Sequence, residues 1–166
     1  IFNCLSTNLN IVADELDIVA SEIIFDKSKE LTIATGSVVI TDEDGNIIKT
    51  EKAVYDKLKE QIRTYQNSKV ILGNGYEINS NEILFDNINK LIKSNTNSIL
   101  SDLDGNFISV EMFEYLINKN LFSSVGKIEI NDINENKYFF NEMYVNTKNK
   151  KIVGSDARVS LGQKNL

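Results

Sequence analysis

The stretch Glu22-Ile23-Ile24-Phe25-Asp26 sets the pattern of the chain, because a similar apolar run returns every thirty residues. A second apolar position follows six or seven residues after the centre of each run, as at Leu31 and Ile62. A repeat of this length is typical of stacked architectures, in which one unit cannot bury its apolar face alone. The later copies of the run are Lys52-Ala53-Val54-Tyr55-Asp56, Glu82-Ile83-Leu84-Phe85-Asp86, Met112-Phe113-Glu114-Tyr115-Leu116 and Glu142-Met143-Tyr144-Val145-Asn146.

Most units read as two strands joined by a turn. In the first unit, residues 31–41 form a strand with a bend at Gly36, and an Asp-Gly turn over residues 42–46 precedes a return strand. Residues 53–61 have helical propensity, but their thirty-residue counterparts read as strand, turn and strand, so strand is predicted there. The chain is therefore predicted to be all-β, with roughly ten short strands. The same hairpin design recurs at residues 70–78, 98–110 and 127–140.

Side-chain alternation along each run predicts one shared apolar face. Ile23 and Phe25 point the same way, and the acidic residues beside them lie on or near the other face. Stripes of this kind, stacked in chain order, predict a continuous interior that lies between two layers or inside a rolled sheet. The simpler interpretation is that the aromatic residues fill this interior as ordinary core residues. A slot that stays partly open and takes in acyl chains is the alternative.

Composition narrows the classes of function. The chain has 166 residues, which suits one domain, and its formal net charge of -6 argues against nucleic-acid binding, which needs a basic surface. It contains no histidine, the commonest general base and metal ligand, and its one cysteine, Cys4, rules out an internal disulfide. The serines have no histidine or positioned lysine partner for nucleophilic catalysis. The chain is therefore predicted not to be an enzyme, with no cofactor and no metal site.

Two acidic turns have a weak similarity to a calcium-binding loop. Asp42 and Asp44 precede Gly45, and Asp102 and Asp104 repeat this spacing sixty residues later. A calcium loop of the EF-hand kind needs more ligands at set positions and a closing glutamate. Turn chemistry is therefore the better interpretation of these carboxylates.

Two phrases stand out in the first repeats, Ile33-Ala34-Thr35-Gly36-Ser37-Val38 and Thr50-Glu51-Lys52-Ala53-Val54-Tyr55-Asp56. Both resemble the repeat of the OstA-like β-jellyroll family of lipopolysaccharide transport. Residues 11–26 are similar to that family's first strand, and residues 151–159 to the passage before the membrane barrel in LptD, its outer-membrane assembly member. The third and fourth units lack the Thr-Gly-x-Val phrase. The chain is most like the N-terminal periplasmic domain of LptD, with the bridge protein LptA and an LptC-like protein as alternatives.

The resemblance implies a rolled, V-shaped jellyroll whose apolar groove guides the lipid A acyl chains of lipopolysaccharide from a periplasmic bridge towards the outer membrane. It implies a location at the periplasmic face of the outer membrane of a Gram-negative bacterium. Phe85, in the third of five units, is expected at the middle of this groove. The predicted groove residues are Ile23, Phe25, Ile33, Val38, Ile40, Ala53, Tyr55, Ile62, Val70, Leu72, Ile83, Phe85, Ile92, Ile99, Phe107, Phe113, Tyr115, Phe122, Ile128, Met143 and Val145.

The resemblance also implies edge-to-edge docking of jellyrolls through backbone pairing. An LptA-like periplasmic bridge protein is the expected partner at the N-terminal edge, and an LptE-like lipoprotein is expected if a C-terminal barrel follows. The predicted docking edge is Leu16, Asp17, Ile18, Val19, Ala20 and Ser21.

The jellyroll is predicted to span residues 9–162. Residues 1–8 are interpreted as a signal-peptide remnant or a frayed terminus, and residues 163–166 as the start of a linker to a C-terminal barrel. The main alternative is a β-solenoid scaffold or adhesin with a dry core. A carbohydrate-active β-helix enzyme is the third hypothesis.

Overall fold

The computed structural model describes residues 9–13 and 16–162, which form seventeen strands of one antiparallel sheet. The all-β prediction is confirmed, and the strands are shorter and more numerous than the sequence predicted. The two terminal segments interpreted above, residues 1–8 and 163–166, lie outside the described residues. The strands are β1 (Leu9–Ala13), β2 (Leu16–Ala20), β3 (Glu22–Asp26), β4 (Leu31–Asp42), β5 (Ile47–Asp56), β6 (Gln61–Tyr65), β7 (Ser68–Ile71), β8 (Glu77–Ser80), β9 (Leu84–Asp86), β10 (Leu91–Ser94), β11 (Ser98–Ser101), β12 (Phe107–Val110), β13 (Phe113–Leu116), β14 (Leu121–Asn131), β15 (Lys137–Asn146), β16 (Lys151–Ser155) and β17 (Arg158–Ser160), with a 3₁₀ turn at Ile117–Lys119.

The sheet folds over into two layers that enclose the apolar core. Four long strands, β4, β5, β14 and β15, run through both layers, and the short strands belong to one layer each. Every thirty-residue unit adds two strands to each layer, so the units stack in chain order as predicted. The stacked-strand β-jellyroll prediction is thus confirmed. Layer A contains β3, β6, β9, β10, β13, β16 and residues 31–35, 52–56, 121–125 and 142–146, and layer B contains β1, β2, β7, β8, β11, β12, β17 and residues 38–42, 47–50, 128–131 and 137–140.

The long strands cross between the layers at irregularities in their pairing. In β4 the register shifts between Thr35 and Val38, where Gly36 has φ +75°. A Cβ atom at Gly36 would lie only 2.9 Å from the Cβ of Ser21, so glycine is required both for its backbone conformation and for space. The β14 strand repeats this device, with Gly126 at φ +108°.

The hairpin turns of layer A stack on one another. Each ends in a residue with left-handed backbone, at thirty-residue spacing, and backbone hydrogen bonds join each turn to the next. The ladder satisfies backbone groups that a turn would otherwise leave to solvent. The left-handed residues are Glu30, Glu60, Lys90, Asn120 and Lys150, and the bonds run from the N–H of Lys57, Asn87, Ile117 and Thr147 to the carbonyls of Glu30, Glu60, Lys90 and Asn120, at 2.8–3.0 Å.

Three turns of layer B are held by aspartates. The Asp42 carboxylate accepts hydrogen bonds from the Asn46 backbone N–H at 2.8 Å and from its side-chain amide at 2.7 Å. Asp102 and Asp132 bind the asparagines four residues later in the same way. These contacts confirm that Asp42 and Asp102 serve turn formation.

Candidate functional site

The interior is closed along most of its length. Phe85, expected at the middle of the groove, is only 1% exposed, and Leu16, Ile40 and Ile62 surround it so closely that no water molecule fits between them. The predicted groove is therefore a packed core at this point. The predicted groove residues that the structure buries are Val38, Ile40, Ala53, Tyr55, Ile62, Val70, Leu72, Ile83, Phe85, Ile92, Phe113, Tyr115, Phe122, Ile128, Met143 and Val145.

Three residues assigned to the interior lie on the outer face, and that assignment is wrong for them. Ile99 pairs with Ser109 and is 46% exposed, because its neighbour Leu100 points inward instead. Phe107 is 48% exposed for the same reason, and Ile108 takes the inward position. Adjacent apolar residues in a four-residue strand leave the phase of alternation open, so the wrong member was chosen.

The third misplaced residue is Ile33, which pairs with Ile24 on the outer face of layer A. Two further predicted groove residues, Ile23 and Phe25, lie on the inner side but remain partly exposed, with Phe25 at 54%. Their strand, β3, pairs only with β4, so no neighbouring strand covers its other side.

The predicted docking edge is not an edge. The strand β2 (Leu16–Ala20) pairs with β1 on one side and with β4 on the other, and the Ser21 N–H donates to the Gly36 carbonyl. Within residues 9–13 and 16–162, the strands paired on one side only are β1 and β3 at the N-terminal end, and β16 and β17 at the C-terminal end. The prediction failed because the short hairpin partner β1 was not recognised in the sequence.

An open cavity of about 420 Å³ lies between the two layers at the C-terminal end. Of the predicted groove residues, only Val145 lines it. Most of the others that line it are inward-facing residues of the strands flanking the layer B turns, a position that the hairpin pattern could have identified. The lining residues are Tyr76, Leu100, Asp102, Asn106, Ile108, Ile130, Asp132, Tyr138, Phe140, Val145, Lys150 and Ile152.

The polar groups that line this cavity make hydrogen bonds with neighbouring polar groups at its rim. Burial opposes ionisation of Asp102, but hydrogen bonds from Asn106 and Asp104 outweigh burial, so the pKa of Asp102 is lowered. The Tyr138 hydroxyl donates to Asp132 at 3.1 Å, which raises the pKa of Tyr138. The rim carboxylates are therefore ionised at neutral pH, while the wall behind them is apolar.

Ion pairs bridge the layers along the mouth of the interior. Lys150, on a layer A turn, pairs with Asp104, on a layer B turn, and Lys90 pairs with Asp44 at 3.2 Å in the equivalent position sixty residues earlier. The hydrogen bond to Asp104 raises the pKa of Lys150, which keeps its ammonium charged. Behind the Lys150 pair, Thr147 accepts a hydrogen bond from the Tyr76 hydroxyl at 3.3 Å.

The described part of the chain shows no group of three or more His, Cys, Asp or Glu residues placed to hold a metal ion. In the same residues, no helix is long and apolar enough to cross a membrane.

Comparison with known proteins finds likeness among solved structures alone. No family model and no curated protein matches the chain. Among solved structures, the chain is similar to LptH of Pseudomonas aeruginosa, described as the LptA-homologous periplasmic component of the lipopolysaccharide transport device. The similarity covers 89% of this chain and 95% of LptH, with 10% sequence identity and a TM-score of 0.37. Similarity at that level does not place the chain in a family.

Proposed function

We propose that this protein binds lipid acyl chains in the C-terminal cavity, as a carrier of lipopolysaccharide at the periplasmic face of the outer membrane. The observation that carries the proposal is the cavity of about 420 Å³, whose walls are formed by residues such as Leu100, Ile108, Ile130 and Phe140. Burying a CH₂ group against such a wall is worth about 0.8 kcal/mol. A cavity in the range of 300–1,000 Å³ is of the size that holds one drug-sized ligand or one alkyl chain.

The resemblance of the first repeats to the OstA-like family supports lipopolysaccharide as the source of these chains. In this proposal one acyl chain enters the cavity, and the rest of the lipid remains at its rim. The exposed strands β16 and β17 border the cavity end, and a partner jellyroll that paired with them would extend the apolar surface. Docking of an LptA-like bridge protein at the N-terminal end would then use β1 and β3 rather than β2.

The test uses a photo-crosslinking amino acid at two aromatic positions. A benzophenone side chain at Phe140, in the cavity wall, should crosslink to lipopolysaccharide. The same side chain at Phe107, which is aromatic but lies on the outer face, is the matched control and should not. Equal crosslinking at both positions, or none at Phe140 in a folded protein, would refute the proposal.

A structural scaffold with a dry core is the second candidate function. The packed interior around Phe85 favours it, because a lipid cannot pass along an interior that has no room for water. The two candidates differ at the cavity: a scaffold predicts no saturable binding of an alkyl probe, and a carrier predicts saturable binding. Competition of that probe by a second alkyl compound separates specific binding from adsorption to exposed strands.

A further inference from the structure

We propose that the ion pair between Lys150 and Asp104 is a latch that controls lateral access to the C-terminal cavity. The inference rests on the proposed function in one respect, that an alkyl chain is the ligand. Lys150 lines the cavity from layer A, and Asp104 belongs to the layer B turn whose neighbouring residues Asp102 and Asn106 also line it. The pair therefore spans the cavity mouth from one layer to the other.

The contacts that hold this mouth are polar, whereas the wall behind them is apolar. Beyond the ion pair, Tyr76 donates to the Thr147 carbonyl, and the side-chain amide of Asn74 donates to the Tyr115 hydroxyl at 3.1 Å. No strand pairing joins the layers here, because the layers are connected through the long strands on the other side of the core. Separating the two rows of turns thus breaks one exposed ion pair and a few part-buried hydrogen bonds, and no sheet hydrogen bonds.

The layer B turn beyond the ion pair lacks such a bridge between the layers. The next layer B turn, which contains Asp132 and Asn134, has no ion pair or hydrogen bond to layer A within residues 9–13 and 16–162. The cavity is bordered both by Asp132 of this unbridged turn and by Lys150 of the bridged one. Exposed ion pairs are weak and are screened by salt, so the latch opens readily.

The chain contains a matched control for the latch. Lys90 and Asp44 make the same kind of bridge between the same rows of turns, but they line a separate cavity of about 370 Å³, formed largely by turn residues, and not the C-terminal cavity. Loss of the Lys90 pair should therefore weaken the mouth without changing access to the C-terminal cavity.

The experiment measures the association rate of an uncharged fluorescent alkyl probe by stopped flow at low and high salt. A neutral probe is used because salt then acts on the protein charges alone. In the unmodified protein, raising salt should speed association by up to about fivefold, the upper limit expected for screening one exposed ion pair. Lys150→Met should associate at the fast rate in low salt and lose the salt dependence.

Two further variants complete the test. The charge swap Lys150→Asp with Asp104→Lys should restore slow, salt-dependent association, and Lys90→Met should behave like the unmodified protein. If Lys150→Met binds the probe with the same rate and salt dependence as the unmodified protein, the latch is overturned and the proposed function stands. The same holds if Lys90→Met changes the association rate as much as Lys150→Met does. Absence of binding in Lys150→Met, whose mouth is open, would overturn the proposed function and the latch with it.

Discussion

The middle of the interior and its C-terminal end are built from the same repeat, yet one is filled and the other is open. Around Phe85, apolar side chains from both layers close every space, whereas Tyr138 and Phe140 at the C-terminal end remain half-buried beside a cavity. The difference shows that the repeat determines the backbone and which side chains point into the interior. Whether the interior is filled at a given unit depends on having neighbouring units on both sides. The proposed binding of an alkyl chain is therefore confined to one end of the stack.

The largest expected contrast comes from removing one aromatic ring in each region. Phe85→Ala should lower the free energy of unfolding by about 3–5 kcal/mol, because it leaves a cavity in a packed core. Phe140→Ala should cost about 1 kcal/mol, since its half-buried ring already borders open space. Urea unfolding with fitted midpoints and slopes measures both values. Equal losses would contradict the division of the interior into filled and open parts.

Enlarging a buried side chain should also destabilise the packed region more than the cavity region. Val70 is fully buried in the packed region, and Val70→Phe should destabilise the fold by about 1–3 kcal/mol through overpacking. Val145 lines the cavity, so the added ring of Val145→Phe has space to occupy and should change stability by less than about 1 kcal/mol. The same variant should abolish binding of the neutral alkyl probe. A Val145→Phe protein that still binds the probe would place the ligand elsewhere.

The sequence predicts the architecture well because the same repeat specifies the individual strands and the order in which the units stack. The apolar runs give the strands, and the aspartates before Asn46, Asn106 and Asn136 give the turns of layer B, so element type follows from pattern. The phase within short strands is less determined: Ile99 and Leu100 are both apolar, and only pairing with the neighbouring strands decides which one faces inward.

The site was less predictable than the fold. The cavity depends on how far the two layers approach each other at one end, which is a tertiary property that no local run encodes. Tyr138, Phe140 and Ile152 were therefore missed as lining residues, although the stripe containing Val145 was recognised. The edge strand was missed because β1 is separated from β2 by too few residues to stand out as a unit of the repeat.

Acid should weaken the open end through its rim carboxylate. The pKa of Asp102 is lower in the folded state than in the unfolded chain, so the unfolded state binds more protons as pH falls. The stabilisation is fully present above about pH 4, the unfolded value, and is lost as pH falls through the folded pKa. Asp102→Asn should flatten the dependence of the unfolding free energy on pH between about 5 and 2. An unchanged slope would show that other carboxylates carry the acid response.

Asp86 provides the comparison in the closed region. It is 7% exposed and accepts hydrogen bonds from Asn89 and Gln61, which outweigh burial and lower its pKa. Asp86→Asn should also make the unfolding free energy depend less on pH in the acid range, because the pKa of Asp86 is lowered as that of Asp102 is. Only Asp102→Asn should also change alkyl-probe binding, since Asp102 lies at the cavity rim and Asp86 does not.

The smallest expected effect is that of the ion pair over the closed region. Lys90 contacts Asp44 at 3.2 Å and Asn87 at 3.0 Å, and the Asp44 side chain is half exposed, so the pair is well solvated. Lys90→Met should therefore lower the free energy of unfolding by less than about 1 kcal/mol, and the difference should shrink at high salt. The pair lines a cavity of about 370 Å³ formed largely by turn residues, but the core around Phe85 has no free space, so the variant should not admit the alkyl probe into that core. Thermal or urea unfolding at two salt concentrations, with probe binding on the same samples, measures both effects. A second probe site in Lys90→Met would show that ion pairs rather than side-chain packing keep the middle of the interior closed.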